Sequence, residues 1–217
     1  IREVRESLPR SYYGELPELA RGPLAGYPRI YEIAITLISH TEARVDSANV
    51  ELFVGAFQEV TQLTIGELWA VPAMLRIALI ESVRRMALRT TQRLDDVEEA
   101  DRWAARVLES TTTSSNALNE FLTSHPPLTP GFVSRFLRQI RISEHSAPLA
   151  WLEPWMTEEG VSTEDAAARA NERLALTQVI TANSITSLRA IGRLDWKSFV
   201  ERQSALERTL RQDPARV

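Results

Sequence analysis

Between Leu63 and Arg89 the chain carries apolar residues on almost every side of a helix. From Ile65 to Ile80 the only charged interruptions are Glu67 and Arg76. A helix that is hydrophobic all round is buried in the middle of a domain, so residues from about 65 to 89 are expected to form a central helix. Thr64 and Glu67 have the spacing of a capping box, with the hydroxyl accepting from the Glu67 backbone N–H and the carboxylate reaching back. Leu63 and Leu68 stand at the positions of a hydrophobic staple across that start. Pro72 removes one intrahelical donor and is expected to kink the helix. The apolar run Leu68–Ile80 contains an arginine and falls short of the ~20 residues that a bilayer requires.

The remaining periodicity is also helical. Pro28–Ala43 presents Ile30, Ile33, Ala34, Leu37 and Ile38 on one stripe, with Pro28 suited to the first helical position. Asp46 is placed to cap Ser47–Val60, whose Val50, Phe53, Val54, Phe57 and Val60 recur at helical spacing. Arg93–Asp96 either interrupts or bends the central helix before an amphipathic Val97–Glu109. Further helices are expected at Ala117–Thr123, Gly131–Ile142 (capped by Thr129), Ala147–Glu159, Thr163–Ile191, 196–203 behind Asp195, and Ala205–Gln212 behind a second capping box of Ser204 and Glu207. Residues 1–8 resemble the last turns of a helix, and 110–116 a linker. Residues 9–31, rich in Pro, Gly and Tyr, form a loop. No period-two stretch and no internal repeat occurs. The expected fold is all-α, with about eight to nine helices around the central one. The break at His125-Pro126-Pro127-Leu128 suggests sub-domains 1–125 and 126–217, unless the whole is one domain.

Composition narrows the chemistry. The 217 residues carry a formal net charge of −4, which argues against a nucleic-acid backbone binder. Without cysteine there is no disulfide framework, thiolate nucleophile or thiolate zinc site, and no two of the three histidines have ligand spacing. No phosphate-cradling glycine loop and no G-x-S-x-G elbow is present. Asp95-Asp96 could be the metal-binding pair of a nucleotide-sugar transferase, but the favoured reading is the acidic first turn of a helix. Glu99–Trp103 approaches the Q-x-x-R-W signature of processive glycosyltransferases with Glu in the first position, a coincidence of amphipathic spacing.

Candidate binding residues are Tyr27, Arg29, His40, Glu67, Trp69 and Arg76; no catalytic or metal-binding residue is assigned. Glu67 and Arg76 would lie in a buried helix, where a charge must be paired or hydrogen-bonded. They do not share a stripe, so partners are expected from Tyr27 and Arg29 of the loop or from His40. A structural network is the favoured reading. Trp69, Trp103, Trp151, Trp155 and Trp196 could stack on sugars, but all fall on helical stripes where core packing is the commoner role.

Four blocks carry a family resemblance: LPRSYYGELPELARGPLAGYPRIY (8–31), ISHTEARVDSANVELFVGAFQEV (38–60), LTIGELWAVPAMLRIALIESVRRMA (63–87) and SITSLRAIGRLDWKSFVERQSALERTLRQDP (184–214). Together they resemble the N-terminal region of the bacterial cyclic β-1,2-glucan synthases, very long inner-membrane proteins that build a β-1,2-glucan from UDP-glucose. The resemblance implies that the chain is a piece of a longer polypeptide, a helical accessory domain on the cytoplasmic side of the inner membrane. On this reading it packs against the glycosyltransferase module and is not catalytic alone. UDP-glucose and a divalent cation would belong to that module, with no cofactor in this stretch. The alternative is a module that binds β-1,2-glucan or a nucleotide sugar.

Overall fold

Capping chemistry sets most helix boundaries. The computed structural model describes residues 10–109, 114–143, 149–160, 163–205 and 209. The expected helix tail at 1–8, the linker residues 110–113, the capping partner Glu207 and the side chain of Trp151 lie outside the described residues. Among the described residues the chain is all-α. A single turn, α1 (Arg10–Tyr13), precedes α2 (Arg29–His40), α3 (Ser47–Val60), α4 (Ile65–Glu109) and α5 (Ser114–Ser124). These are followed by α6 (Pro130–Ile142), α7 (Leu149–Glu158), α8 (Thr163–Ile191) and α9 (Trp196–Gln203). The only β-type pairing among them is an isolated bridge between Glu18 and Pro28.

α3 has the expected limits: the Asp46 side chain accepts from the Asn49 backbone N–H at 2.9 Å, and the Asn49 side chain accepts from the Asp46 N–H at 3.0 Å. Thr129 caps α6 and Asp195 caps α9 through backbone N–H groups three residues on. α2 is shorter than expected. Pro28 is its N-cap, and it stops at His40, where the Thr41 N–H and hydroxyl both donate to the Leu37 carbonyl. Glu42 and Ala43 then take φ of 49° and 64°, a left-handed turn that non-glycine residues adopt only when neighbours hold it. α8 does so: Asn183 donates to the Glu42 carbonyl, while the Ser187 hydroxyl donates to the Ala43 carbonyl and accepts from the Val45 N–H.

The central helix is longer than expected, 45 residues without a break at Arg93–Asp96. No Gly or Pro stands there, and the Gln92 amide donates to Asp96 one turn on at 3.0 Å. Asp96 is therefore not in a first helical turn. It is buried in mid-helix and accepts from the Thr129 hydroxyl at 2.6 Å. In α3 the buried line is Val50, Val54 and Gln58, with Val60 exposed. Gln58 is tolerated there because its amide donates to the Gln203 carbonyl and side chain at 3.0 Å.

Packing divides the chain differently from the expected 1–125 and 126–217. One unit comprises residues up to Met86 and from Val179 onward; the other is Ala87–Gln178. The break at 125–128 falls inside the second unit because Phe121 before it and Phe132 after it share one core. The first core combines α2, α3, the beginning of α4, Ile191 and α9. The second is built around Phe121, fully buried, whose ring meets Trp103, Phe132, Phe136 and Trp155 with centroids 5.1–6.3 Å apart. Phe121→Ala is expected to destabilise the second unit by about 3–5 kcal/mol. Urea denaturation followed by circular dichroism measures this, and an unchanged midpoint would show that the ring does not organise this core.

Candidate functional site

The six candidate residues all belong to the first unit. Glu67 is fully buried in the first turn of α4. Its Oε1 accepts from Arg29 Nε at 2.9 Å and its Oε2 from Arg29 Nη2 at 2.7 Å, a fork-to-fork pair. Oε2 also accepts from the Thr64 N–H and hydroxyl, and the Glu67 N–H donates to Thr64 Oγ1, so the capping box is formed as expected. Arg29 further donates to the Gln62 carbonyl, and its guanidinium lies 5.8 Å from the Phe57 ring centroid. Tyr12 donates its hydroxyl hydrogen to the Gly66 carbonyl. Both oxygens of Glu67 are thus committed to fixing the loop and α2 to the start of α4.

Loop 14–28 is ordered by its own backbone: Leu19 N–H donates to Tyr27, Gly26 N–H to Leu19, and Arg29 N–H to Pro17. Gly22 and Gly26 have φ of 92° and 81°, which permit the reversal. Tyr27, 49% exposed, stacks on Tyr31 at 5.6 Å. The Tyr31 phenol is pushed up by burial, then by nearby Glu81 and Tyr27, with Arg85 opposing. Tyr13 is raised by burial and by Tyr27, Glu18 and Tyr31. The phenols of Tyr13 and Tyr31 therefore remain protonated at neutral pH and can donate hydrogen bonds beside an open aromatic face.

Trp69 is 47% exposed, not packed in the core as its helical position suggested. Ile65, Trp69, Pro72, Arg76 and Ile80 follow one another at intervals of three and four residues, a single stripe of α4. Ile65 and Ile80 are exposed, and Pro72 and Arg76 half-buried. The helix is apolar all round, yet this side lies open. His40 is exposed at the opposite end of α2 from Arg29, so the structure does not bring it to Glu67. Trp103 is in the second core, and Trp196 is half-buried with its indole N–H on the Ile191 carbonyl.

The Glu99–Trp103 segment has a structural account. Asp101 receives a two-pronged pair from Arg135 at 2.7 and 2.8 Å and a hydrogen bond from Gln139. The Arg135 hydrogen bond holds the Asp101 carboxyl below its ordinary value, against the opposing effect of burial. Among the described residues no group of three His, Asp or Glu could hold a metal ion, and no helix is long and apolar enough to cross a membrane.

Across 216 residues, 98% of the chain, the sequence is 31% identical to the cyclic beta-(1,2)-glucan synthase NdvB of Rhizobium meliloti, strain 1021. The chain is a relative of one segment of a cyclic β-1,2-glucan synthase. The match is to the N-terminal-type region and spans 8% of that synthase's length. No family model matches the chain. The synthase-related blocks at 8–31 and 63–87 contain both halves of the Arg29–Glu67 pair.

Removing one partner of such a pair strands a buried charge. Arg29→Ala is expected to cost about 3–5 kcal/mol, and Glu67→Gln less, since the Arg29 side chain keeps 22% exposure. Urea midpoints measure both; a larger loss in Glu67→Gln would contradict the assignment of Glu67 as the buried partner.

Proposed function

We propose that the chain is a non-catalytic helical accessory domain of a cyclic β-1,2-glucan synthase-like protein. It docks on the transferase-bearing remainder of the same polypeptide through the open stripe of α4. The observation that carries this reading is the exposed line Ile65–Trp69–Ile80 on a helix otherwise embedded in a core. Exposed apolar surface gathered in one place marks an interaction site. The similarity to a protein more than ten times as long supports the rest of such a polypeptide as the partner. On this reading UDP-glucose and its divalent cation are handled by the transferase module, and this domain lies on the cytoplasmic side of the bacterial inner membrane. The burial of Glu67 in its ion pair supports a non-catalytic role, because a general acid must reach its substrate.

The test is capture of the separately expressed transferase-bearing portion by the immobilised 217-residue chain. Ile65→Asp combined with Trp69→Asp is expected to lower capture at least about tenfold, since an introduced charge must be desolvated on docking. Helicity by circular dichroism should stay unchanged. Equal capture by the folded double variant would remove this face from the proposal.

A second reading, a sugar-binding module for β-1,2-glucan or a nucleotide sugar, draws on the open Tyr27–Tyr31 stack beside Tyr13. An aromatic face with adjacent hydroxyl donors suits a pyranose. Calorimetry with β-1,2-glucan at about millimolar concentration should then give heat that Tyr27→Ala abolishes; no heat with the unaltered chain would dismiss it.

A further inference from the structure

The second unit holds a cleft of about 450 Å³ that none of the candidate residues enters. Its walls come from α4, the start of α6 and α8, all within Ala87–Gln178. That volume is in the range that admits a small molecule. Arg89 and Arg93 reach it from α4 and Arg173 from α8, while Asp96 and Thr129 form part of its lining. Arg93 and Arg173 set two cations against the single carboxylate of Asp96 on this lining, in a chain whose own net charge is −4. The positive excess is therefore local, the opposite of what the composition alone would place there.

Asp96 does not cancel it through direct pairing. Its Oδ2 is taken by the Thr129 hydroxyl at 2.6 Å and its Oδ1 by the Gln92 amide at 3.0 Å. Arg93 and Arg173 form no ion pair or side-chain hydrogen bond among the described residues. Elsewhere in this chain arginines facing a neighbouring element do pair, as Arg29 with Glu67, Arg135 with Asp101 and Arg202 with Glu51. Arginines on the walls of a concavity focus its field, and their guanidinium groups suit the oxygen geometry of a phosphoryl group. α6 turns its N-terminal, positive end toward the same space through Gly131. Ala170 and Leu174 supply an apolar wall on the α8 side.

We infer that this cleft binds a phosphoryl-bearing ligand, held by Arg93 and Arg173, with the less polar part of the ligand against α8. The inference is independent of the docking proposal, which concerns the first unit.

The experiment is isothermal titration calorimetry of the 217-residue chain with pyrophosphate, with UDP, and with glucose as an uncharged control, beside co-sedimentation with phosphatidylglycerol vesicles. Pyrophosphate or UDP is expected to bind and glucose to give no heat. Arg93→Ala combined with Arg173→Ala should weaken binding at least about tenfold, and raising the salt should weaken it in the unaltered chain. Arg93→Lys with Arg173→Lys keeps the charge but loses the planar fork, and should fall between the two. Circular dichroism verifies that the variants are folded. Co-sedimentation that depends on the two arginines, without heat from the soluble probes, would assign the phosphoryl group to a lipid headgroup. No response to any phosphoryl probe at about 10 mM, or equal responses from the unaltered chain and the double alanine variant, would overturn the site.

Discussion

A fully buried carboxylate has to be answered on both oxygens, and the first unit is arranged around that requirement. Glu67 accepts from Arg29 with each oxygen and from Thr64 with one of them. Three segments are thereby fixed together: the end of the tyrosine-bearing loop, the turn after α3 through the Gln62 carbonyl, and the first turn of α4. A buried pair of this kind adds little net stability, because desolvation offsets most of the attraction. Its contribution is geometric. It sets where α4 begins, and so which side of that helix the first core covers.

What that core leaves uncovered follows from the same placement. Leu68, Val71, Met74, Leu75, Ala78 and Leu79 are buried among α2, α3 and the C-terminal helices, which leaves the stripe through Ile65, Trp69 and Ile80 open. The apolar residues on this stripe are not required to fill the first core. Hydrophobic exposure aligned along a helix costs solubility without repaying it in the isolated fold. A partner surface would give it a physical purpose, which is the ground of the docking proposal.

The local grammar of the sequence was legible and its long-range pairing was not. The cap at Asp46, the capping box at Thr64 and the limits of α3 and α8 are written in residues within four positions of each boundary. The continuity of α4 through Arg93–Asp96 is different. Asp95-Asp96 reads as a first helical turn until Thr129, 33 residues away, is seen to donate to Asp96. The division of the chain was obscured for a related reason. A Pro-Pro break marks a change of direction, whereas membership of a core depends on which rings meet, and Phe121 meets Phe132 across that break. Trp69 illustrates the limit of periodicity, which places a residue on a helix face but does not say whether another element covers that face. Of the candidate partners for Glu67, Arg29 came from the expected loop, but no pattern in the sequence could choose it over Tyr27 or His40.

The two buried carboxylates bear on what kind of chemistry the chain can perform. Glu67 and Asp96 are the residues that environment sets apart, and both have their oxygens engaged by donors from within the fold. A proton donor or acceptor in catalysis must exchange with a substrate atom at hydrogen-bond distance; Glu67 is fully buried, and the oxygens of Asp96, at the wall of the cleft, are taken by Gln92 and Thr129. Their role is to position helices: α4 against the loop in one unit, α4 against α6 in the other. The surfaces they leave behind differ in character. One is an apolar stripe, one an aromatic loop, and one a cleft walled by arginines. Each offers a way of holding a partner or ligand, which is the physical basis of the docking and binding proposals.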